Sequence, residues 1–264
     1  MLNDKLTLVI NTCDKFSDLW NDHIKFLNKN WNNREIDTFL VTDEKTDRSF
    51  QGVKVFSSGS GKEYPQRMLA ALPEINTEYI LITLDDYFPI TEISNSKIER
   101  LIDIMDKEGL DYIRLFADPN SHKKFKNYKN LFQIPLDINY SVNLYQGIWR
   151  RSFLEKTFEN TQSIWKYEVS LTPIAREIGA KCVLSKGGEF EILDVIRKGK
   201  LLHKAKRYLD KNCISLPKRE VISYKEEIRI KVFSTGKKVL PKKLANLVKN
   251  LLKKRGFVFF SDSI

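Results

Sequence analysis

Histidine and cysteine are scarce in this chain: His23, His122 and His203, and Cys13, Cys182 and Cys213, among 264 residues. An odd number of cysteines at unrelated spacings argues against a disulfide framework and against a zinc cluster, and it fits a reducing cytoplasm. So few histidines leave little material for a histidine-based metal site or catalytic triad. No apolar run is long enough to cross a bilayer. The apolar patch at residues 6–10 has no h-region and no small-residue cleavage site, so it reads as a first strand and not as a signal peptide. Glycine is absent from Asn11-Thr12-Cys13-Asp14-Lys15, where a dinucleotide fingerprint would follow that strand. The run Ser58-Gly59-Ser60-Gly61-Lys62 lacks the spacing and the Ser/Thr of a P-loop; it is an ordinary connection or a loop over a phosphate.

Apolar residues make up 42% of the chain, enough for a real core, and charged residues 30%, as in soluble proteins. The formal net charge of +11 is unevenly placed. Residues 197–256 carry 20 Lys and Arg against four Asp and Glu, whereas residues 1–196 carry 25 against 29. The basicity belongs to one end of the chain and implies a separate task for that end. We place the division at a main domain of residues 1–203 and a basic, largely helical extension of residues 204–264.

Strand-like segments occur at residues 5–12, 37–42, 53–56, 79–84, 111–116, 140–149, 180–184 and 190–195. Between them Phe16, Leu19, Trp20, His23, Ile24 and Leu27 recur at helical spacing. Residues 63–72 read as a helix with Met68, Leu69, Ala71 and Leu72 inward. Residues 96–107 read as another that Gly109 stops, and helices are expected over 153–158 and 163–178. Residues 117–137 have no clear period and read as a surface excursion. Strands alternating with helices predict an α/β fold with a mostly parallel central sheet covered on both faces.

Within that pattern, residues 79–84 are apolar enough to be a central strand buried on both sides. They run into Asp85 and Asp86. Ligands of open α/β sheets collect at the carboxyl ends of such strands. A carboxylate there can hold Mg²⁺ or Mn²⁺ that bridges substrate phosphates, or the pair can be turn chemistry or a helix cap.

The ordered set of three segments resembles bacterial surface-polysaccharide glycosyltransferases, those of capsule and lipopolysaccharide synthesis, with a GT-A-like (Rossmann-like) fold. Leu84-Asp85-Asp86-Tyr87-Phe88 stands at the place of the family's Asp-x-Asp-type motif, with Thr83 where a strict motif has its first aspartate. The segment from Gln146-Gly147-Ile148-Trp149-Arg150-Arg151 to Leu154 is similar to the family's Gln-x-x-Ile-Trp-Arg-Arg-x-x-Leu. Ile164-Trp165-Lys166-Tyr167-Glu168 is similar to its Pro-Trp-x-x-Glu, with Ile164 in place of proline. The likeness covers about residues 5–203. It implies transfer of a sugar from a nucleotide-sugar, a UDP-sugar, to a hydroxyl of a glycan or lipid-linked acceptor. By the same resemblance Thr12, Cys13 and Asp43 lie near base and ribose, and Arg67 faces the diphosphate. Asp85 or Asp86 holds a divalent cation, and Glu168 is the general base of an inverting displacement.

The chemistry suits those residue types. A nucleoside diphosphate leaves with developing charge that a metal or Arg/Lys must meet, and the attacking hydroxyl needs a carboxylate within reach. Gln146, Trp149 and Trp165 are the candidates for the acceptor, the indoles as platforms for a sugar face. The bland alternatives are that both Trp residues anchor the core, that Arg67 is a surface helix residue, and that Glu168 merely favours a helix N-terminus. Two other classes compete: a metal-dependent nucleotidyltransferase-like enzyme, and a non-enzymatic basic module for nucleic acid.

At the basic end Leu244, Leu247, Val248, Leu251 and Leu252 form a helical stripe among Lys242, Lys243, Lys249, Lys253 and Lys254, followed by Phe257-Val258-Phe259-Phe260. An amphipathic basic helix with an aromatic tail suits the anionic inner face of the cell membrane and makes the chain a peripheral, cytoplasmic protein. The alternatives are packing on the main domain or on a second subunit. Nucleic acid is a third, without a known reader motif. His203 follows a basic segment and is a candidate phosphate contact.

Overall fold

The computed structural model describes residues 1–118, 120–158, 163–214 and 219–228, which divide into two compact units, residues 1–193 and the described part of residues 194–264. In the first unit a turn of helix α1 (Leu2–Lys5) leads into β1 (Leu6–Asn11), α2 (Trp20–Asn30), β2 (Thr38–Thr42) and β3 (Lys54–Ser57). Helix α3 (Tyr64–Ala71), β4 (Tyr79–Leu84), the short β5 (Tyr87–Pro89) and α4 (Asn95–Glu108) follow. The unit continues through β6 (Tyr112–Arg114), β7 (Leu131–Gln133), β8 (Gly147–Arg150), α5 (Arg151–Thr157), α6 (Ile164–Glu177), β9 (Cys182–Ser185) and β10 (Ile192–Asp194).

Eight strands form the main sheet in the order β3-β2-β1-β4-β8-β6-β9-β7. The first four are mutually parallel. Strand β8 runs antiparallel between β4 and β6, β9 is parallel to β6, and β7 closes the edge antiparallel to β9. The mixed α/β sheet flanked by helices is the expected fold class, its parallel half carried by the four leading strands.

Strands β1, β2 and β4 are buried nearly throughout because helices cover both faces, and this is why their sequences read as continuous apolar runs. Leu8, Ile10, Leu40 and Leu81 pack with Trp20, Ile24 and Leu27 of α2 and with Ile98, Leu101 and Met105 of α4. The opposite face carries Val9, Val41, Ile80 and Ile82 against Tyr64 and Met68 of α3, Phe153 of α5 and Tyr167 and Leu171 of α6. Helix α4 ends where Gly109 turns left-handed at φ 60°, a conformation that costs glycine nothing.

Three expectations need correction. Leu69 is 49% exposed: Tyr64, Met68 and Ala71 make the i, i+4, i+7 stripe that faces the sheet, and Leu69 lies one position off it. Residues 117–137 are not wholly a surface excursion, because β7 joins the main sheet; three residues are too few to show a period. The strand expected over 140–149 is confined to β8, and residues 140–146 are an irregular approach to it.

In the second unit β11 (Ile196–Arg197) and β12 (Lys200–Leu201) form a hairpin. Its two turn residues, Lys198 and Gly199, both have positive φ, as a tight hairpin turn requires. Helix α7 (His203–Lys211) follows. The basic stripe over residues 241–254 and the aromatic tail after it lie outside the described residues. Among the described residues no helix is long and apolar enough to cross a membrane.

Candidate active site

Strand β1 has β2 on one side and β4 on the other. Its carboxyl end is therefore the point where successive connections leave in opposite directions, the place where an open α/β sheet opens a crevice. Asn11 ends β1, Thr42 ends β2 and Leu84 ends β4, and the next residues of each strand build the site.

Thr12 donates its hydroxyl to the carboxylate of Asp85 and accepts the indole N–H of Trp20 at 2.7 Å. The backbone of Asp85 is held as well: His23 Nδ1 lies 3.1 Å from its carbonyl oxygen. Burial pushes the His23 imidazole down to about 4, so the ring is neutral at pH 7 and the nitrogen facing that oxygen carries the proton. Asp85 is buried, whereas Asp86 beside it keeps part of its surface exposed.

On the β2 side, one carboxylate oxygen of Asp43 accepts the N–H groups of Asp14 at 2.7 Å and Glu44 at 3.0 Å. Burial alone would raise this carboxyl; those N–H groups, together with Arg67, hold it below the ordinary value, so it stays ionised. Ser58 donates its hydroxyl to Thr42 O and Gly59 its N–H to Asp43 O, each at 3.0 Å, so the Ser-Gly-Ser-Gly loop lies over the ends of β2 and β3. Cys13 is half-buried. Burial first, then the charge of Asp85, pushes its thiol up and keeps it protonated.

Arg67, projecting from α3, donates to Lys62 O at 2.7 Å and to Asn11 Oδ1 at 3.2 Å, so it is not a surface residue. Tyr64, one turn earlier, stacks on Tyr167 of α6 with ring centroids 5.4 Å apart. Burial pushes the Tyr64 phenol up, and the charges of Arg67 and Glu168 act on it in opposite directions. Asn11 Nδ2, Arg67 Nε and Tyr64 Oη are buried without a hydrogen-bond partner among the described residues.

Glu168 accepts the N–H of Leu144 at 3.3 Å. The residue keeps some surface open while its carboxyl is enclosed, and that enclosure raises the carboxyl above the ordinary range. Strand register fixes its position. Ile82 of β4 pairs with Gly147, so residues 144–146 lie beside the exit from β4, and Tyr145 stacks on Tyr87 at 5.8 Å. Glu168 and the Asp85-Asp86 turn therefore share one end of the sheet.

The structure separates the acceptor candidates. Trp149 is 1% exposed, packed between Tyr112 at 4.2 Å and Phe153 at 5.6 Å, and presents no face to a ligand. Gln146 is fully buried and spends its amide N–H on Phe190 O at 3.0 Å, a staple between β8 and the loop before β10. Trp149 belongs to the core, because the residues of an internal strand are covered on both faces, and Gln146 is buried just ahead of that strand. Trp165 is 54% exposed in the first turn of α6, at i, i+3 from Glu168 and so on the same side of the helix. His203 lies in the second unit, stacked on Tyr224 at 3.8 Å.

Sequence reasoning passed over Asn11, Tyr64, Tyr87 and Tyr145, and it took His23 only as part of a helix stripe. Asn11 did carry a signal, being the polar residue that ends a buried strand. Among the described residues no three His, Cys, Asp or Glu side chains converge as a metal cage. Mg²⁺ does not need one, since one or two carboxylates plus substrate phosphates commonly hold it. Asp85 and Asp86 fit that thinner requirement, with Asp85 already engaged by Thr12.

No protein-family model matches the chain, and no curated protein sequence does. Solved structures resemble it weakly. TarS of S. aureus matches at 16% identity and a TM-score of 0.49 over 70% of this chain and 36% of that one. TarS residues 1–349 in complex with UDP match at 16% and 0.47, over 70% and 59%. A cytidylyltransferase from Leptospira borgpetersenii serovar Hardjo-bovis matches at 14% and 0.47, over 79% and 95%. The chain thus spans between about a third and three-fifths of the TarS chains it matches.

Proposed function

We propose that this chain is a glycosyltransferase that moves a sugar from a nucleotide-sugar, a UDP-sugar, to a hydroxyl of a glycan or lipid-linked acceptor in surface-polysaccharide synthesis. The observation that carries this reading is the stack of Tyr87 on Tyr145. It ties the residue after Asp86 to the residue after Leu144, whose N–H holds Glu168. An acid turn and a base of raised affinity for protons then lie at one end of the sheet.

In this reading the nucleoside lies toward Thr12, Cys13 and Asp43, and the diphosphate toward Arg67. The buried donors of Asn11 and Arg67 suit an oxygen-rich ligand. The acceptor oxygen attacks the anomeric carbon while Glu168 takes its proton. The bond from that carbon to the diphosphate breaks, and the electron pair leaves with the diphosphate, whose charge Arg67 meets. One in-line displacement inverts the anomeric centre. A divalent cation, Mg²⁺ or Mn²⁺, would be held by Asp85 or Asp86 and would supply further charge neutralisation.

The nucleotidyltransferase alternative needs a glycine-rich, basic phosphate loop after β1. Here residues 14–16 form a 3₁₀ turn with no glycine. The basic end is assigned to an anionic membrane surface, which seats the enzyme beside lipid-linked acceptors.

The test is UDP-dependent stabilisation of the full chain with and without Mn²⁺, followed by UDP release from UDP-sugars. Stabilisation is expected in the wild type and in Glu168→Gln. Sugar transfer is expected to be lost in Glu168→Gln and Asp86→Ala. Full transfer by both variants would remove the proposed site.

A further inference from the structure

Phe116, Tyr145 and Tyr87 form a continuous aromatic group: Phe116 lies 4.4 Å from Tyr145, which lies 5.8 Å from Tyr87. The three come from the exits of β6 and β4 and the entry to β8, so the group sits at one end of the sheet. Each keeps part of its surface exposed, and none belongs to either core cluster. Partly exposed rings that pack on one another, outside both core clusters, are poorly explained as core anchors.

The group is also braced from beneath. The buried Arg114 donates from Nε to Phe116 O at 2.8 Å and from Nη1 to Ser141 O at 2.6 Å, fixing the two backbone segments that present Phe116 and Tyr145. A rigid scaffold under exposed rings is what a binding face requires.

We propose that Tyr87, Tyr145 and Phe116 form a shelf for the apolar face of a pyranose ring of the acceptor, which it holds for Glu168. This rests on the glycosyltransferase reading. A pyranose presents C–H groups on its faces and hydroxyls at its rim, and an aromatic face is electron-rich, so the two stack. Tyr87 follows Asp86 directly, and Tyr145 follows the Leu144 that holds Glu168. A sugar on the shelf therefore meets the turn at one end and the base at the other. The residues assigned to the nucleotide follow β1 and β2 or project from α3, and in the sheet β4 stands between β1 and β8. That position favours the acceptor over a nucleobase.

The experiment is saturation-transfer NMR of the full chain, with and without UDP, using methyl glucoside, methyl galactoside and methyl N-acetylglucosaminide as probes. At least one probe should be saturated most strongly on the ring protons of one sugar face. Tyr145→Ala and Phe116→Ala should weaken its apparent affinity roughly three- to tenfold, and Tyr145→Phe should stay within about twofold of wild type. UDP stabilisation should be equal in all of them. Should an alanine variant melt early, Tyr145→Leu keeps the bulk, loses the π face, and gives the same comparison. No probe signal in the wild type, or a signal undiminished in the variants, overturns the shelf. Loss of UDP stabilisation in the variants overturns it too, by placing a base on the rings. If UDP fails to stabilise the wild type, the transferase reading falls, and the probe signal without nucleotide still decides the shelf.

Discussion

His23 presents Nδ1 to the backbone oxygen of Asp85 at 3.1 Å, from a ring that no solvent reaches. A helix that packs against the sheet thereby holds the turn that carries the acid pair.

That burial has a pH consequence. The imidazole is lowered from 6.5 to about 4 by burial, opposed by the Asp85 carbonyl and reinforced by Arg34. The unfolded chain therefore takes up this proton first. Stability is complete above about pH 6.5 and is lost as pH falls toward 4, by on the order of 3 kcal/mol. His23→Gln, which can still donate to Asp85 O but does not titrate, should lack this part of the acid sensitivity. Unfolding free energies of both proteins across that window check it, and parallel pH curves would refute it.

Thr12→Val should leave the Trp20 N–H and the Asp85 carboxylate facing a methyl group. A cost of roughly 1–3 kcal/mol is expected, because both lose the Thr12 hydroxyl as a hydrogen-bond partner. Thr12→Ser should recover most of it. Urea unfolding of the three proteins makes the comparison.

Enclosure raises the Glu168 carboxyl above the ordinary value of 4.5. If this group takes the acceptor's proton, transfer falls as pH drops through a value above 4.5, and the acid limb of kcat/KM reports it. Glu168→Gln should abolish the limb along with a rate factor of about 10²–10⁴. A limb unchanged in the residual activity would assign the base elsewhere.

Gly147→Ala should destabilise the sheet. A Cβ there would lie 2.7 Å from the Tyr112 ring and 3.0 Å from Ile113 O, and the backbone contact cannot swing aside. A loss of about 1–3 kcal/mol is expected from such overpacking. A wild-type denaturation midpoint would contradict it.

Removing residues 241–264 should release the protein from vesicles containing phosphatidylglycerol, in a salt-dependent way, because each Lys near an anionic surface contributes ~1 kcal/mol. Unchanged co-sedimentation would place the membrane contact outside that segment.

Local pattern alone determined the strands β1, β2 and β4, the helices α4 and α6, and the acid pair at the end of β4. Each is long enough, or sharp enough in its stop, for side-chain period and capping chemistry to speak without a partner. The glycine after α4 and the apolar run before Asp85 are of that kind. Only the tertiary structure decided that β8 lies antiparallel beside β4, that three residues of a supposed excursion close the sheet, and that Trp149 and Gln146 lie inside it. Strand neighbours are chosen by pairing across the chain, and an exposed indole and a buried one look alike in sequence. The same pairing stacked Tyr87 on Tyr145, and so brought to one end of the sheet an acid turn and a glutamate that lie some eighty residues apart.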